Sequence, residues 1–194
     1  DHGVSVRTAS AHARAVKLVI AAGPWASTFI PQLNVHRKPV FWFHCGPEFS
    51  VGRGAGTFFF ETPAGQFYGF PSLDGQTFKV AEHTGGQPVS DPAAVDRSLH
   101  AADLESVRQF LRSHVPAAQL ELVRHSVCLY TLTPDHHFLI DHHPSSDRII
   151  VAAGFSGHGF KFAPVIGQAL ADLALHGQTN LPIDFLGWNR AAMM

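Results

Sequence analysis

Apolar positions follow three regimes along the chain. Residues 4–8 alternate as a strand, and residues 16–23 read as a buried strand ending in Gly23. Pro24 suits a first helical position, and Trp25, Phe29, Ile30 and Leu33 then outline a short apolar helical face. Short aromatic or β-branched runs follow at 40–44, 57–61, 66–70 and 77–81, separated by Gly, Pro, Asp and Ser clusters, and these predict an antiparallel sheet. Residues 91–116 turn helical, with Leu104, Val107, Phe110 and Leu111 on one stripe and Pro116 as the stop. Extended structure returns over 121–131. The last third alternates apolar runs at 138–140 and 149–151 with a helix over 164–175, whose face carries Val165, Ile166, Ala169, Leu170 and Leu173 before Gly177 ends it. The pattern predicts an α+β architecture, with a mixed sheet at each end of the chain and an antiparallel sheet between.

Composition narrows the class of function. The 194 residues carry 14 Lys+Arg against 15 Asp+Glu, so no excess charge recruits nucleic acid or an anionic membrane. Cys45 and Cys128 are too few for a disulfide framework and fit a reducing compartment. No apolar run approaches a membrane span and no signal peptide opens the chain, so a cytoplasmic protein is expected. The opening also lacks an initiator methionine and the turn chemistry of an ordinary first element, which predicts a start in mid-domain.

Candidate chemistry centres on the nonamer Gly154-Phe155-Ser156-Gly157-His158-Gly159-Phe160-Lys161-Phe162. An apolar strand, a glycine cluster and then helical periodicity place unpaired backbone N–H groups at a helix start, where electron-rich ligands bind. Glycines admit a flat ring or a carboxylate, while His158 and Lys161 supply a titratable donor and a fixed charge. A plain glycine turn accounts for the pattern equally well. The 14 histidines include the runs Asp135-His136-His137 and Asp141-His142-His143, which invite a zinc or manganese site and a metal-dependent phosphoesterase. Their spacing opposes it, because neighbouring strand residues point to opposite faces. Solvated loop histidines and no metal are expected.

Cys128 reads first as a small buried hydrophobe, yet Tyr130 and Arg124 share its side of a strand and could support a thiolate. Lys79 and His83 likewise share one side, as do Tyr68 and Phe70 on the preceding strand. A lysine in an aromatic sheet either snorkels to the edge or is put to use.

The blocks Tyr68-Gly69-Phe70-Pro71, Lys79 with His83, Cys128-Leu129-Tyr130-Thr131, His137-Phe138-Leu139-Ile140-Asp141 and Ala153 through Phe162 occur in one order. Together they resemble the second half of the monomeric sarcosine oxidase and N-methyl-L-tryptophan oxidase family, FAD-dependent amine oxidases of the D-amino-acid oxidase superfamily. The resemblance implies an antiparallel substrate-domain sheet flanked by partial strands and helices of an interrupted, Rossmann-like FAD domain. The expected boundaries are 1–34 for the end of the first FAD segment, 35–127 for the substrate domain and 128–194 for the return to the FAD domain. The family's Gly-x-Gly-x-x-Gly segment for the FAD pyrophosphate is absent from these residues. Activity is therefore expected of a longer protein, with the fragment alone inactive, self-associating or a silent substrate-binding domain.

Residue roles follow from the same resemblance. Cys128 matches the cysteine bonded covalently to FAD, and Lys79 the lysine that promotes reaction with O2. Lys79, His83, Tyr68 and Tyr130 are implied in catalysis. Tyr68, Phe70, His83, Tyr130 and Lys161 are implied in holding an N-methyl amino acid. Gly23, Trp25, Gly154, Phe155, Gly157, His158, Gly159 and Lys161 are implied on the flavin side. The implied products are an imine and hydrogen peroxide.

Overall fold

A computed structural model describes residues 3–193. The chain divides into two compact units, one contiguous from His36 to Leu129 and the other built from the residues up to Val35 together with those from Tyr130 onward. The architecture is α+β.

In the contiguous unit, β4 (Asn34–His44), β5 (Phe58–Thr62), β6 (Gly65–Phe70), β7 (Thr77–Glu82) and β8 (Gln87–Pro88) form a sheet in the order β5-β6-β7-β4-β8, and β9 (Leu122–Leu132) pairs with β4. Strand alternation sorts the aromatics. Phe41, Phe43, Phe67, Phe78 and Val80 point to one face and are buried against Leu104, Val107, Phe110 and Leu111 of α1 (Ala101–His114). Phe67 stacks on Phe110 with ring centres 4.3 Å apart.

The helix expected over 91–116 starts only at Ala101. The Asp91 carboxylate accepts from the Ala93 N–H, and the Asp96 carboxylate accepts from the Ser98 N–H and hydroxyl. The buried Arg37 guanidinium takes the Asp96 and Ser98 carbonyls and pairs with Asp103. Those local bonds satisfy the backbone outside a helix, so the periodic stretch stays irregular until residue 101.

In the other unit, β10 (Leu139–His143), β11 (Ser146–Ala153) and β3 (Leu18–Ile20) make a three-stranded mixed sheet, β10 antiparallel and β3 parallel to the central β11. The two ends of the chain thus share one mixed sheet, where the hydrophobic pattern predicted one at each end. The N-terminal alternation instead forms a separate hairpin of β1 (Val4–Arg7) and β2 (His12–Ala15). Both faces of β11 are covered, which explains its unbroken apolar run. Ile140 and Ile150 pack on Ile166 and Leu173 of α2 (Ala163–His176), while Leu139, Val151 and Ala153 pack on Ala26, Ile30 and Leu33. Residues 23–28 form a 3-10 helix.

Candidate active site

The outward face of the contiguous unit's sheet carries what its core face excludes. Lys79 stands between two aromatic cross-strand partners, Trp42 on β4 and Phe70 on β6. Its ammonium lies 5.3 Å from the Trp42 ring centre and 5.4 Å from that of Phe70. The Arg124 guanidinium of β9 stacks 3.6 Å over the same indole. Two cations therefore share one ring beside a cavity of about 500 Å³, lined also by Thr57, Pro71, Leu73 and Thr77. Asp74 completes the wall. The Gln76 and Thr77 amides and the Ser72 hydroxyl donate to its carboxylate and hold it far below the usual range, a permanent anion at the rim.

Farther along the face, Phe59 pairs with Tyr68, and the His83 ring lies edge-on to both at 5.8 Å and 6.3 Å. Tyr68 in turn meets Phe70 at 5.9 Å. The His83 N–H donates to the Gln66 carbonyl at 2.7 Å, which ties the residue to the end of β6. Cys128 is exposed on β9, on the Arg124 side by strand alternation and about 13 Å farther along it. Trp42 and Phe59 were not singled out from the sequence. The alternation that buries Phe41 and Phe43 leaves Trp42 facing Lys79, and Phe59, 54% exposed, is the outward member of an all-Phe triplet.

In the second unit, parallel β3 and β11 end at one sheet edge, with Ile20 paired to Val151. Gly23 and Gly154 each lie three residues beyond that pair, so both turns leave from the same carboxyl edge, where open α/β sheets bind ligands. Trp25, on the turn after Gly23, is about half exposed. The glycine turn is left-handed at Gly154, Ser156 and Gly157, with φ of 64°, 49° and 81°. The buried Ser156 is held there by its N–H on the Thr131 carbonyl, at 2.9 Å, and its hydroxyl on the Gly154 carbonyl, at 3.0 Å. A Cβ at Gly157 would enter the Tyr130 ring, so backbone and ring meet directly. Tyr130 thereby joins the turn.

Phe155 and His158 pack on Phe138 with ring centres 5.0 Å and 4.9 Å away. Gly159 precedes the 3-10 turn Phe160–Phe162 that carries Lys161 and leads into α2. That helix has no side-chain cap; its Ala163 N–H donates instead to the Phe160 carbonyl of the 3-10 turn, and Pro164 brings no N–H. Burial pushes the His158 imidazole below its ordinary value, and Lys161 pushes the same way, so its neutral form is favoured.

The two Asp-His-His runs are bound into local structure. Burial would raise the Asp135 carboxyl, but hydrogen bonds from Arg190, at 2.7 Å, and from the His137 amide hold it at about 2. Asp141 accepts from the His142 and Trp188 amides. The two nitrogens of the His142 ring lie against the Asp147 and Gly177 carbonyls. Among the described residues, no three His, Cys, Asp or Glu side chains converge as metal ligands.

Residues 1–173 match the DAO family of FAD dependent oxidoreductases. The chain belongs to this family. Within it, the chain is 39% identical to monomeric sarcosine oxidase of Arthrobacter sp. (strain TE1826) over 199 residues, covering 98% of this chain and 51% of that protein. It is 36% identical to N-methyl-L-tryptophan oxidase of Citrobacter koseri over 90% of this chain and 47% of the relative. The chain thus spans about half the length of these DAO relatives. Among solved structures, NikD, an unusual amino acid oxidase essential for nikkomycin biosynthesis, superposes with a TM-score of 0.77 at 25% identity, covering 96% of this chain and 51% of NikD. L-proline dehydrogenase from P. horikoshii shares the fold, with a TM-score of 0.79 at 21% identity over 94% of this chain and 49% of its own. No helix of the described residues is long and apolar enough to cross a membrane.

Proposed function

We propose that this chain is the C-terminal, substrate- and flavin-facing half of an amine oxidase that converts the secondary amine of an N-methyl amino acid to an imine, with O2 reduced to hydrogen peroxide. The observation that carries this reading is Lys79, a cation framed by Trp42 and Phe70 at a cavity mouth. A lysine held so on a sheet face has a use beyond solubility. The ammonium stabilises negative charge as it develops on oxygen, as preorganised donors stabilise an oxyanion.

The residues present fit FAD. The glycine turn, left-handed at Gly154 and Gly157 and without a Cβ where Tyr130 approaches, gives backbone surface for the edge of a flat ring. Gly23, Trp25, Gly154, Phe155, His158, Gly159 and Lys161 are the groups that would hold it, with Cys128 forming the covalent thioether. FAD, when bound, supplies the two-electron acceptor. The chain's own residues bind and orient the amine. Tyr68, Phe70 and Tyr130 present aromatic surface to the N-methyl group, Lys161 pairs the carboxylate, and the His83 imidazole serves as a proton-handling group.

The test uses a protein in which this chain is joined to a dinucleotide-binding half. Expected are sarcosine- or N-methyltryptophan-dependent peroxide formation and a flavin visible band that stays with the acid-precipitated protein. A colourless precipitate removes the covalent link, and absence of peroxide with every N-methyl amino acid tried removes the oxidase reading.

A further inference from the structure

Lys38 is a buried cation that these roles leave unused. It lies on β4 with 3% of its surface exposed, where the ladder to the neighbouring chain segment breaks. β7 pairs with β4 as far as Phe41↔Val80, and β8 resumes at Arg37↔Gln87. Residues 81–86 therefore lie opposite only residues 38–40, and the surplus bulges out as a turn. Pro39 has no N–H to offer that turn. Two of its carbonyls, those of His83 and Thr84, instead accept from the Lys38 ammonium, at 2.8 Å and 2.5 Å.

The rest of the turn is shaped around that side chain. Gly86 has a φ of 99°, and a Cβ there would fall 2.8 Å from the Arg37 carbonyl and 3.2 Å from the Lys38 stem. Glu82 supplies the countercharge from β7. Its carboxylate accepts from the Thr84 hydroxyl at 3.2 Å and from Ser106 of α1 at 2.8 Å. The other titratable groups facing the turn are His83 itself and His36, whose Nδ1 lies 3.4 Å from the Gly85 carbonyl.

We propose that Lys38 is a positioning residue: its ammonium, docked on the His83 and Thr84 carbonyls, holds the bulged turn and thereby sets the His83 imidazole against Tyr68 and Phe59. The imidazole's part in handling substrate rests on the oxidase reading, whereas the hold on the turn does not. The ammonium donates to both carbonyls about twice as strongly as a neutral amine would, yet the neutral amine can still donate to them and avoids the cost of burying the charge. Burial lowers the Lys38 pKa to about 8 against the opposing pull of Glu82, so a turn that opens and returns the amine to water binds its proton more tightly, and opening grows harder as pH rises through 8.

Amide hydrogen exchange on the chain itself tests the proposal. In Lys38→Met, the His83 amide, which donates to the Gln66 carbonyl, should exchange about tenfold faster or more, with those of α1 unchanged. In the wild type, protection at the same amide, corrected for intrinsic exchange, should rise between pH 7 and 9. Lys38→Arg should keep the protection and lose the pH step. Unchanged exchange in Lys38→Met, or acceleration spread evenly over α1, overturns the proposal. If Lys38→Met does not fold, a wild-type profile flat in pH overturns it alone. In the flavin-bearing protein the variant should raise KM for the amine more than it lowers kcat. Faster exchange with KM unchanged upholds the hold on the turn and overturns the substrate role of His83.

Discussion

Burying the Lys38 ammonium has a global cost with a definite sign. The folded chain holds that proton with a pKa of about 8, while the unfolded chain holds it at 10.5. Between those values the unfolded state binds more protons, so stability rises with pH across the window and the gain is lost as pH falls back through 8. The gap corresponds to about 3 kcal/mol. Urea unfolding of the wild type and of Lys38→Met at intervals from pH 7 to 10.5 measures it, because Lys38 is the one titratable group by which the two proteins differ. The wild type should gain about 3 kcal/mol on the variant over that range. A difference that stays flat in pH would refute the reading of Lys38 as a buried charge. The same cation that fixes the turn is thus a liability to the fold at neutral pH.

Other outcomes follow from residues already described. Cys128→Ala, at an exposed strand position, should shift the melting midpoint little, within about 0.5 kcal/mol, yet release flavin on acid precipitation of the flavin-bearing protein. Flavin that stays attached would reassign the link. Lys79→Met should slow flavin reoxidation by oxygen while amine binding persists, measured by stopped flow; an unaltered oxygen rate would take Lys79 out of that step. Gly157→Ala should cost about 2 kcal/mol or more in thermal unfolding, because its left-handed backbone meets the Tyr130 ring. Asp135 and Arg190 predict acid sensitivity: with the carboxyl held at about 2, the stability it contributes is present above its ordinary value near 3.8 and lost as pH falls through 2, and Arg190→Ala should reduce that dependence to the part held by the His137 amide and Thr133.

Local alternation was a sound guide to the aromatic sheet. Trp42, Tyr68, Phe70 and Lys79 occupy one face and Phe41, Phe43, Phe67 and Phe78 the other, as a period of two requires. The family blocks were legible for a different reason, since the glycine turn and the Cys128 segment are constrained residue by residue. What the residues do could not be read from their faces. Three things escaped pattern reading, each because a distant partner decides it. The irregular stretch before Ala101 depends on Arg37 claiming its carbonyls, across 59 positions in the case of Asp96. The parallel pairing of β3 with β11 is set by a register that no local periodicity encodes. Nothing local marks Lys38, whose acceptors come from a bulge 45 and 46 positions farther on.

That parallel pairing has a consequence for how the molecule assembles. Lys17 beside β3 reaches the Asp147 carbonyl across 130 positions, with the whole contiguous unit looped out between. Closing a loop of that length carries about 4 kcal/mol of chain entropy by polymer scaling, before any strand contact repays it. Residues from His36 to Leu129 close a shorter loop among themselves, where the His44 N–H donates to the Glu121 carbonyl and β9 pairs with β4, whereas the mixed sheet must wait until both chain ends are brought together. A ribosome-bound chain halted before residue 149 would therefore leave β3 without β11, its neighbour among the described residues.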